Sequence, residues 1–296
     1  MKSEEIARHG YVSGTVQGVA FRYYPDGKSF FPGGKPATEL HRRTFLTLVG
    51  LLSGRIELGT SFSRLTDEIR HDLTRLYPML PNGKAFRPAD FLIGRKHPEV
   101  YVYKVDDQWA QVILVNADEV TATRPMLRNR QAASSRIVAA PVAGDQAELG
   151  SLGLRADKRY HVFDFWNQEP LGILEGDEEL AVHLKLGEAR VYAVREVEAH
   201  PQILGTNRHV MCGMMEISAT GWDAGAATLS FTADLVGGET MDITIALPED
   251  GRFTPRAVSS DSAEVSFKQE GNHLKVSART SNNRQSRIKL EFQPSN

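Results

Sequence analysis

The chain has 296 residues, 41% of them hydrophobic, enough to bury more than one core and consistent with about two domains on length alone. Its 35 basic and 37 acidic residues leave a net charge of −2, so no global basic field draws it to nucleic acid. The one cysteine, Cys212, excludes an intramolecular disulfide.

In chain order, Met1–Gly10 is charged and polar, without the apolar core of a signal peptide. No apolar run reaches the roughly 18–20 residues that cross a bilayer. The chain as written is therefore expected to be soluble and cytoplasmic, with no membrane partner. Tyr11–Phe21 alternates loosely, Tyr23–Lys28 reads as a turn and Phe30–Pro36 as a Gly-Pro-rich loop. Glu39–Ser53 carries Leu40, Phe45, Leu48, Leu51 and Leu52 at helical spacing, with Gly54 placed as a C-terminal cap. Arg55–Leu58 is a short strand and Gly59–Ser63 a loop. Thr66–Tyr77 is a helix with Thr66 as cap, Asp67 and Glu68 in its first turn, an apolar face of Ile69, Leu73, Leu76 and Tyr77, and Pro78 as its stop.

Val100–Val105 and Trp109–Val115 form a strand pair joined at Asp106-Asp107, and Thr121–Ser135 is a polar loop bearing Arg124, Arg128 and Arg130. No aromatics interleave with those arginines, as a nucleic-acid platform requires, so they read as a solvated loop. Tyr160–Trp166 is the most aromatic strand, with Asn167–Pro170 as its turn, followed by strands at Glu179–Leu186 and Ala189–Val197. Beyond residue 199 the alternation is strict. Ala227, Leu229, Phe231, Ala233 and Leu235 share one face, as do Met241, Ile243, Ile245 and Leu247, then Leu274, Val276 and Ala278, then Ile288, Leu290 and Phe292. Turns fall at Gly237-Gly238, Glu249-Asp250-Gly251 and Glu270-Gly271-Asn272. One-sided alternation over several strands predicts a sandwich of antiparallel sheets.

The phrase Y-H-V-F-D-F-W-N-Q-E-P-L-G from Tyr160, then A-R-V-Y-A-V-R, then H-P-Q-I-L-G-T-N-R-H at His200–His209, resembles the β-sandwich that follows the catalytic barrel in α-galactosidase-like (melibiase-type) glycoside hydrolases of family 36 and its clan. E-L-H-R-R-T-F-L-T-L-V-G-L-L-S-G-R-I-E-L-G with L-T-D-E-I-R resembles the last two β/α units of that family's barrel. The resemblance implies a multidomain α/β plus all-β chain: an incomplete (β/α)8-barrel remnant over residues 1–98, then antiparallel β-sandwich domains over 99–198 and 199–296. A complete barrel typically needs about 250 residues.

The resemblance also implies retaining hydrolysis of α-linked glycosides without a cofactor, carried by two aspartates on middle barrel strands. Those strands have no counterpart in this sequence. Retaining cleavage places two carboxylates about 5–5.5 Å apart. Relatives carry Asn-Asp-Pro-Asp at the seventh barrel strand, where this chain reads F-F-P-G-G. No catalytic residue is therefore assigned. Asp26 and Glu57 remain as substrate-lining candidates, against readings as a turn residue and a structural ion pair. Trp109, Trp166 and Trp222 are either carbohydrate-stacking faces or core anchors. Asp164 is expected to satisfy nearby donors, and Cys212 to pack as a small hydrophobe. The histidines show no zinc spacing, so no metal is assigned. Two functions stand: the C-terminal portion of such a hydrolase, with a carbohydrate ligand, or a non-catalytic carbohydrate-associated or structural β-sandwich protein.

Overall fold

A computed structural model of the chain describes residues 30–31, 36–53, 58–80, 85–91, 98–117, 135–144 and 150–294. Tyr11–Phe21, Tyr23–Lys28, Gly54, Arg55–Glu57 and the arginines of the polar loop lie outside the described residues. Chain contacts divide the protein into two compact units: Met1–Tyr160 with Ile173–Val194, and His161–Gly172 with Arg195–Asn296.

In the first unit, helix α1 spans Glu39–Leu46, its start fixed by the Thr38 side chain accepting from the His41 amide at 3.4 Å. It widens into a π-helical segment, Thr47–Ser53, a change of pitch that the apolar spacing did not foretell. Leu46, Leu48, Val49, Leu51 and Leu52 are buried, while Leu40 and Phe45 are only half-buried. Helix α2, Asp67–Thr74, begins as expected at Thr66, whose side chain accepts from the Ile69 amide, with Asp67 and Glu68 in the first turn. Ile69, Leu73 and Leu76 are buried, but Tyr77 lies beyond the last helical turn and is 43% exposed, so it is not part of the apolar face. The two helices are tied where Arg42 Nε meets the buried Asp72 carboxylate at 2.5 Å. The segments that follow them also approach closely: a Cβ on Gly50 of the π-helical segment would stand 2.7 Å from Cδ1 of Leu76, just beyond α2.

Strands β1 (Arg87–Pro88), β2 (Val100–Lys104) and β3 (Trp109–Val115) pair antiparallel, with Val102 opposite Val112. The β2–β3 turn falls at Asp106–Gln108, where Asp106 accepts from the Gln108 amide at 2.8 Å. β4 (Arg136–Pro141) pairs antiparallel with β7 (Glu179–Leu184). A six-stranded sheet runs β1-β2-β3-β8-β5-β6, with β5 at Arg159–Asp164, β6 at Glu169–Glu175 and β8 at Ala189–Glu196. The unit division falls within β5, β6 and β8.

The aromatic strand ends two residues earlier than expected, and its turn is Phe165–Gln168. Pro170 is not the turn's end but lies inside β6, the sheet's edge strand, where a residue without an amide hydrogen is tolerated. Gln168 at φ 53° supplies the left-handed corner that lets the turn close before the proline.

The second unit contains two four-stranded sheets, β10-β11-β16-β13 and β14-β15-β12-β9. Their strands are β9 (Gln202–Thr206), β10 (Ile217–Asp223), β11 (Thr228–Leu235), β12 (Thr240–Ala246), β13 (Phe253–Ser260), β14 (Glu264–Glu270), β15 (His273–Arg279) and β16 (Arg284–Pro294). The strand pairings described in these sheets are antiparallel. Every alternating apolar residue named from the sequence beyond residue 199 is buried in one core shared by both sheets, the packing of a β-sandwich. Each Val, Leu, Ile, Met or Phe among them contributes about 1.5–3 kcal/mol by leaving water.

Candidate functional site

Of the residues singled out from the sequence, Asp26 and Glu57 lie outside the described residues. The three tryptophans are separate from one another in the fold's elements. Trp109 opens β3 and is partly buried, with its carbonyl accepting from the Val105 amide at 2.9 Å as the hairpin closes. Trp166 sits in the Phe165–Gln168 turn, 8% exposed, edge-on to Phe165 with ring centroids 5.1 Å apart. Trp222, in β10, is partly buried against the sandwich core. The His200 ring stacks on it at 5.1 Å and 10°, and Phe253 meets it edge-on at 5.1 Å. A sugar ring stacking on that indole has to displace the imidazole or take the other face beside Phe253 and Phe292.

The polar residues of the recognisable phrase converge on two turns of the second unit. In the first, the buried Asp164 accepts from the Asn167 amide at 3.2 Å and its side-chain amide at 2.9 Å, so the Asp-Phe-Trp-Asn run closes on itself. Gln168 donates its side-chain amide to the Phe165 carbonyl at 2.6 Å. Nearby, Gly205 of β9 leaves room for an aromatic: a Cβ there would lie 2.5 Å from the Phe163 ring.

The second turn follows β9. Asn207 fixes its start, exchanging hydrogen bonds of 3.0 Å with the backbone of Asp242 in β12. The loop returns through Cys212 (φ 50°) and Gly213 (φ 98°), consecutive left-handed residues, to the buried Glu216. The Glu216 carboxylate accepts from the Thr206 hydroxyl, the Gly213 amide at 3.0 Å and the Met215 amide at 3.2 Å. Burial raises its carboxyl above the usual glutamate value against these donors. His209, also buried, accepts the Met211 amide on Nδ1 at 3.1 Å. Cys212 is fully buried, its thiol directed to the Val210 carbonyl at 3.7 Å, while Arg195 donates to the Cys212 carbonyl at 2.8 Å. Sequence reasoning passed over Glu216. The available signal was a lone carboxylate in the apolar run V-M-C-G-M-M-E-I.

The buried carboxylates among the described residues are Asp72, Asp90, Glu99, Asp164 and Glu216. Asp72 pairs with Arg42 and Arg43, and Asp90 accepts from the Glu99 and Val100 amides. Glu99 pairs with Arg136 and accepts from the Ala117 amide. With Asp164 and Glu216 bound as above, each is committed to holding chain in place. Among the described residues there is also no group of three or more His, Cys, Asp or Glu able to hold a metal, and no helix long and apolar enough to cross a membrane.

No protein-family model and no curated protein matches the sequence. Among solved structures the chain is similar to the family 27 β-L-arabinopyranosidase of Geobacillus stearothermophilus, with 15% identity and a TM-score of 0.47 over 66% of this chain and 42% of that one. A variant of that enzyme in complex with arabinose gives 14% identity, a TM-score of 0.46 and the same coverage of 66% and 42%. α-Galactosidase I of Mortierella vinacea gives 13% identity and a TM-score of 0.35 over 53% and 36% of the two chains. The chain thus spans less than half the length of each. These neighbours are named as glycosidases, and the arabinopyranosidase belongs to family 27 rather than 36.

Proposed function

We propose that the chain is the C-terminal, β-rich portion of an α-galactosidase-like glycoside hydrolase and itself serves a structural part, with the full-length enzyme acting on α-linked glycosides with retention. The ordered phrase from Tyr160 to His209 supports the family. The observation that carries the non-catalytic part is the commitment of every buried carboxylate among the described residues to backbone amides, hydroxyls, side-chain amides or arginines. A retaining glycosidase needs two carboxyl groups about 5–5.5 Å apart, one to attack and one to transfer a proton. In this reading residues 1–98 are the end of a barrel, with 99–198 and 199–296 as sandwiches, and a carbohydrate is the ligand of the whole enzyme.

The purified chain is expected to show no hydrolysis of aryl α-galactosides above a blank. Turnover abolished by one substitution within this chain refutes the non-catalytic assignment. The family assignment is tested separately by the DNA upstream of the Met1 codon. An open frame encoding the middle barrel strands with their two aspartates supports a hydrolase. A promoter and ribosome-binding site directly before Met1 favours a non-catalytic carbohydrate-associated sandwich protein instead.

A further inference from the structure

The two sheets of the sandwich end in four edge strands, β9, β10, β13 and β14, and three of these are closed to a further strand. β9 is buried along its whole length. β10 shifts register against β11 between Ser218 and Gly221, around Ala219 at φ 49°. β13 shifts against β16 between Pro255 and Ala257, and Pro255 has no amide hydrogen to offer. Bulges and prolines of this kind keep an edge from pairing with another chain.

β14 carries neither device. Glu264–Glu270 contains no Gly or Pro and keeps register with β15 throughout, from Glu264 opposite Arg279 to Glu270 opposite His273. Among the described residues no strand lies beyond it, and only Val265 and Phe267 are not fully exposed. Those two pack against the sandwich core, so by alternation Glu264, Ser266, Lys268 and Glu270 stand on the outer face. We propose that β14 is an interface through which two copies of this chain associate, edge to edge and antiparallel, joining two four-stranded sheets into one.

The charges on the strand select the occupant and the register. A two-fold axis normal to the sheet pairs β14 with its own copy about one residue and keeps each face on its own side. About Ser266, Glu264 faces Lys268 and Val265 faces Phe267, each pair occurring twice. Opposite charges then meet on the outer face, and apolar side chains meet on the core side, prolonging the cores of both sandwiches. The neighbouring registers lack this match. An axis at Phe267 sets Glu264 against Glu270, and axes at Glu264 or Lys268 set like charges against themselves, which destabilises a strand pair. An axis at Val265 leaves Lys268 opposite Ser262 and Phe267 opposite Ala263.

The hairpin itself also leaves room for the second copy's carboxylate. Lys268 is 76% exposed and stands opposite Lys275 of β15, with its own Glu270 at 2.7 Å. Lys275 is drawn to Asp242 at 2.9 Å on its other side. Glu264 of a second copy completes an alternating row of charges across the joined edges. One strand edge is a small contact beside the roughly 1,200–2,000 Å² of a standard interface, so the association is reversible and concentration-dependent.

Sedimentation equilibrium of the full chain, from about 1 μM to about 1 mM, tests this. The average mass should rise from that of one chain toward that of two. Lys268→Glu and Glu264→Lys each set two like-charge pairs across the axis and should weaken association by about tenfold or more. The double variant Glu264→Lys/Lys268→Glu restores both pairs and should recover wild-type association. A wild-type chain that stays monomeric over the whole range overturns the proposal. So does a dimer indifferent to the single reversals, or one that the double variant fails to restore.

Ser266→Cys gives a second reading should a reversal disturb the fold. Directly opposed residues of antiparallel strands lie about 4.5–5.5 Å apart at Cα, within disulfide reach. The native Cys212 is fully buried, so mild oxidation should link Ser266→Cys into a covalent dimer and leave Glu270→Cys largely unlinked. Equal linking at both positions, or linking only at 270, overturns the register and the interface with it.

Discussion

Replacing Trp166 with Ala separates the two roles its position allows. The side chain is 8% exposed and packs edge-on against Phe165 at 5.1 Å, inside a turn that Asp164 closes from below. A tryptophan buries about 150–250 Å², and at about 25 cal/mol per Å² that area corresponds to about 4–6 kcal/mol. Truncations of buried aromatics cost about 3–5 kcal/mol in practice, a large share of the about 5–15 kcal/mol that holds a domain together. With a urea slope of about 1–3 kcal/mol per molar, the denaturation midpoint should fall by at least about 1 M. The assay is urea unfolding of both proteins, followed by titration with galactose and methyl α-galactoside. An unchanged midpoint together with lost sugar affinity refutes the packing argument and makes Trp166 a ligand platform.

Two further substitutions test the packing of each unit. Gly205→Ala forces a Cβ to within 2.5 Å of the Phe163 ring and should cost about 1–3 kcal/mol in thermal or chemical unfolding, with Phe163→Leu partly restoring it. Asp72→Ala leaves Arg42 buried without its carboxylate and should destabilise the helical pair by about 3–5 kcal/mol, read as early proteolysis around Glu39–Thr74.

The sandwich was legible because one face of each strand is dry and the other wet. Leu229, Phe231, Ala233 and Leu235 alternate with Ser230, Thr232 and Asp234, and the period of two survives translation into burial. β10 was not legible: Ser218–Gly221 is exposed throughout, and a register shift around Ala219 at φ 49° breaks its alternation. The Glu39–Ser53 helix was legible as a helix, but residue spacing does not distinguish a continuous α-helix of about four turns from one that relaxes to π pitch after Leu46. The proline rule misplaced the turn at Asn167–Pro170 because Pro170 stands on an edge strand, where its missing donor costs nothing. As for the candidate site, Asp164 behaves as its neighbours suggested. Glu216 was invisible because a buried charge announces itself only through partners that the fold brings from β9 and its own loop.

The central place of β16 carries a kinetic consequence. β11 pairs with the preceding β10 but finds its second partner only after about sixty further residues, Leu229 opposite Leu290, and β13 waits on the same strand, Val258 opposite Leu290 as well. During synthesis both therefore leave the ribosome with an unpaired edge, and the sheet assembles last-strand-in through long-range contacts that slow the search. Until β16 arrives, β11 exposes an apolar face and an open ladder to any neighbouring nascent chain, the condition in which strands pair wrongly. Yield of the folded protein should therefore depend more on chain concentration and temperature during expression than on the stability of the finished sandwich.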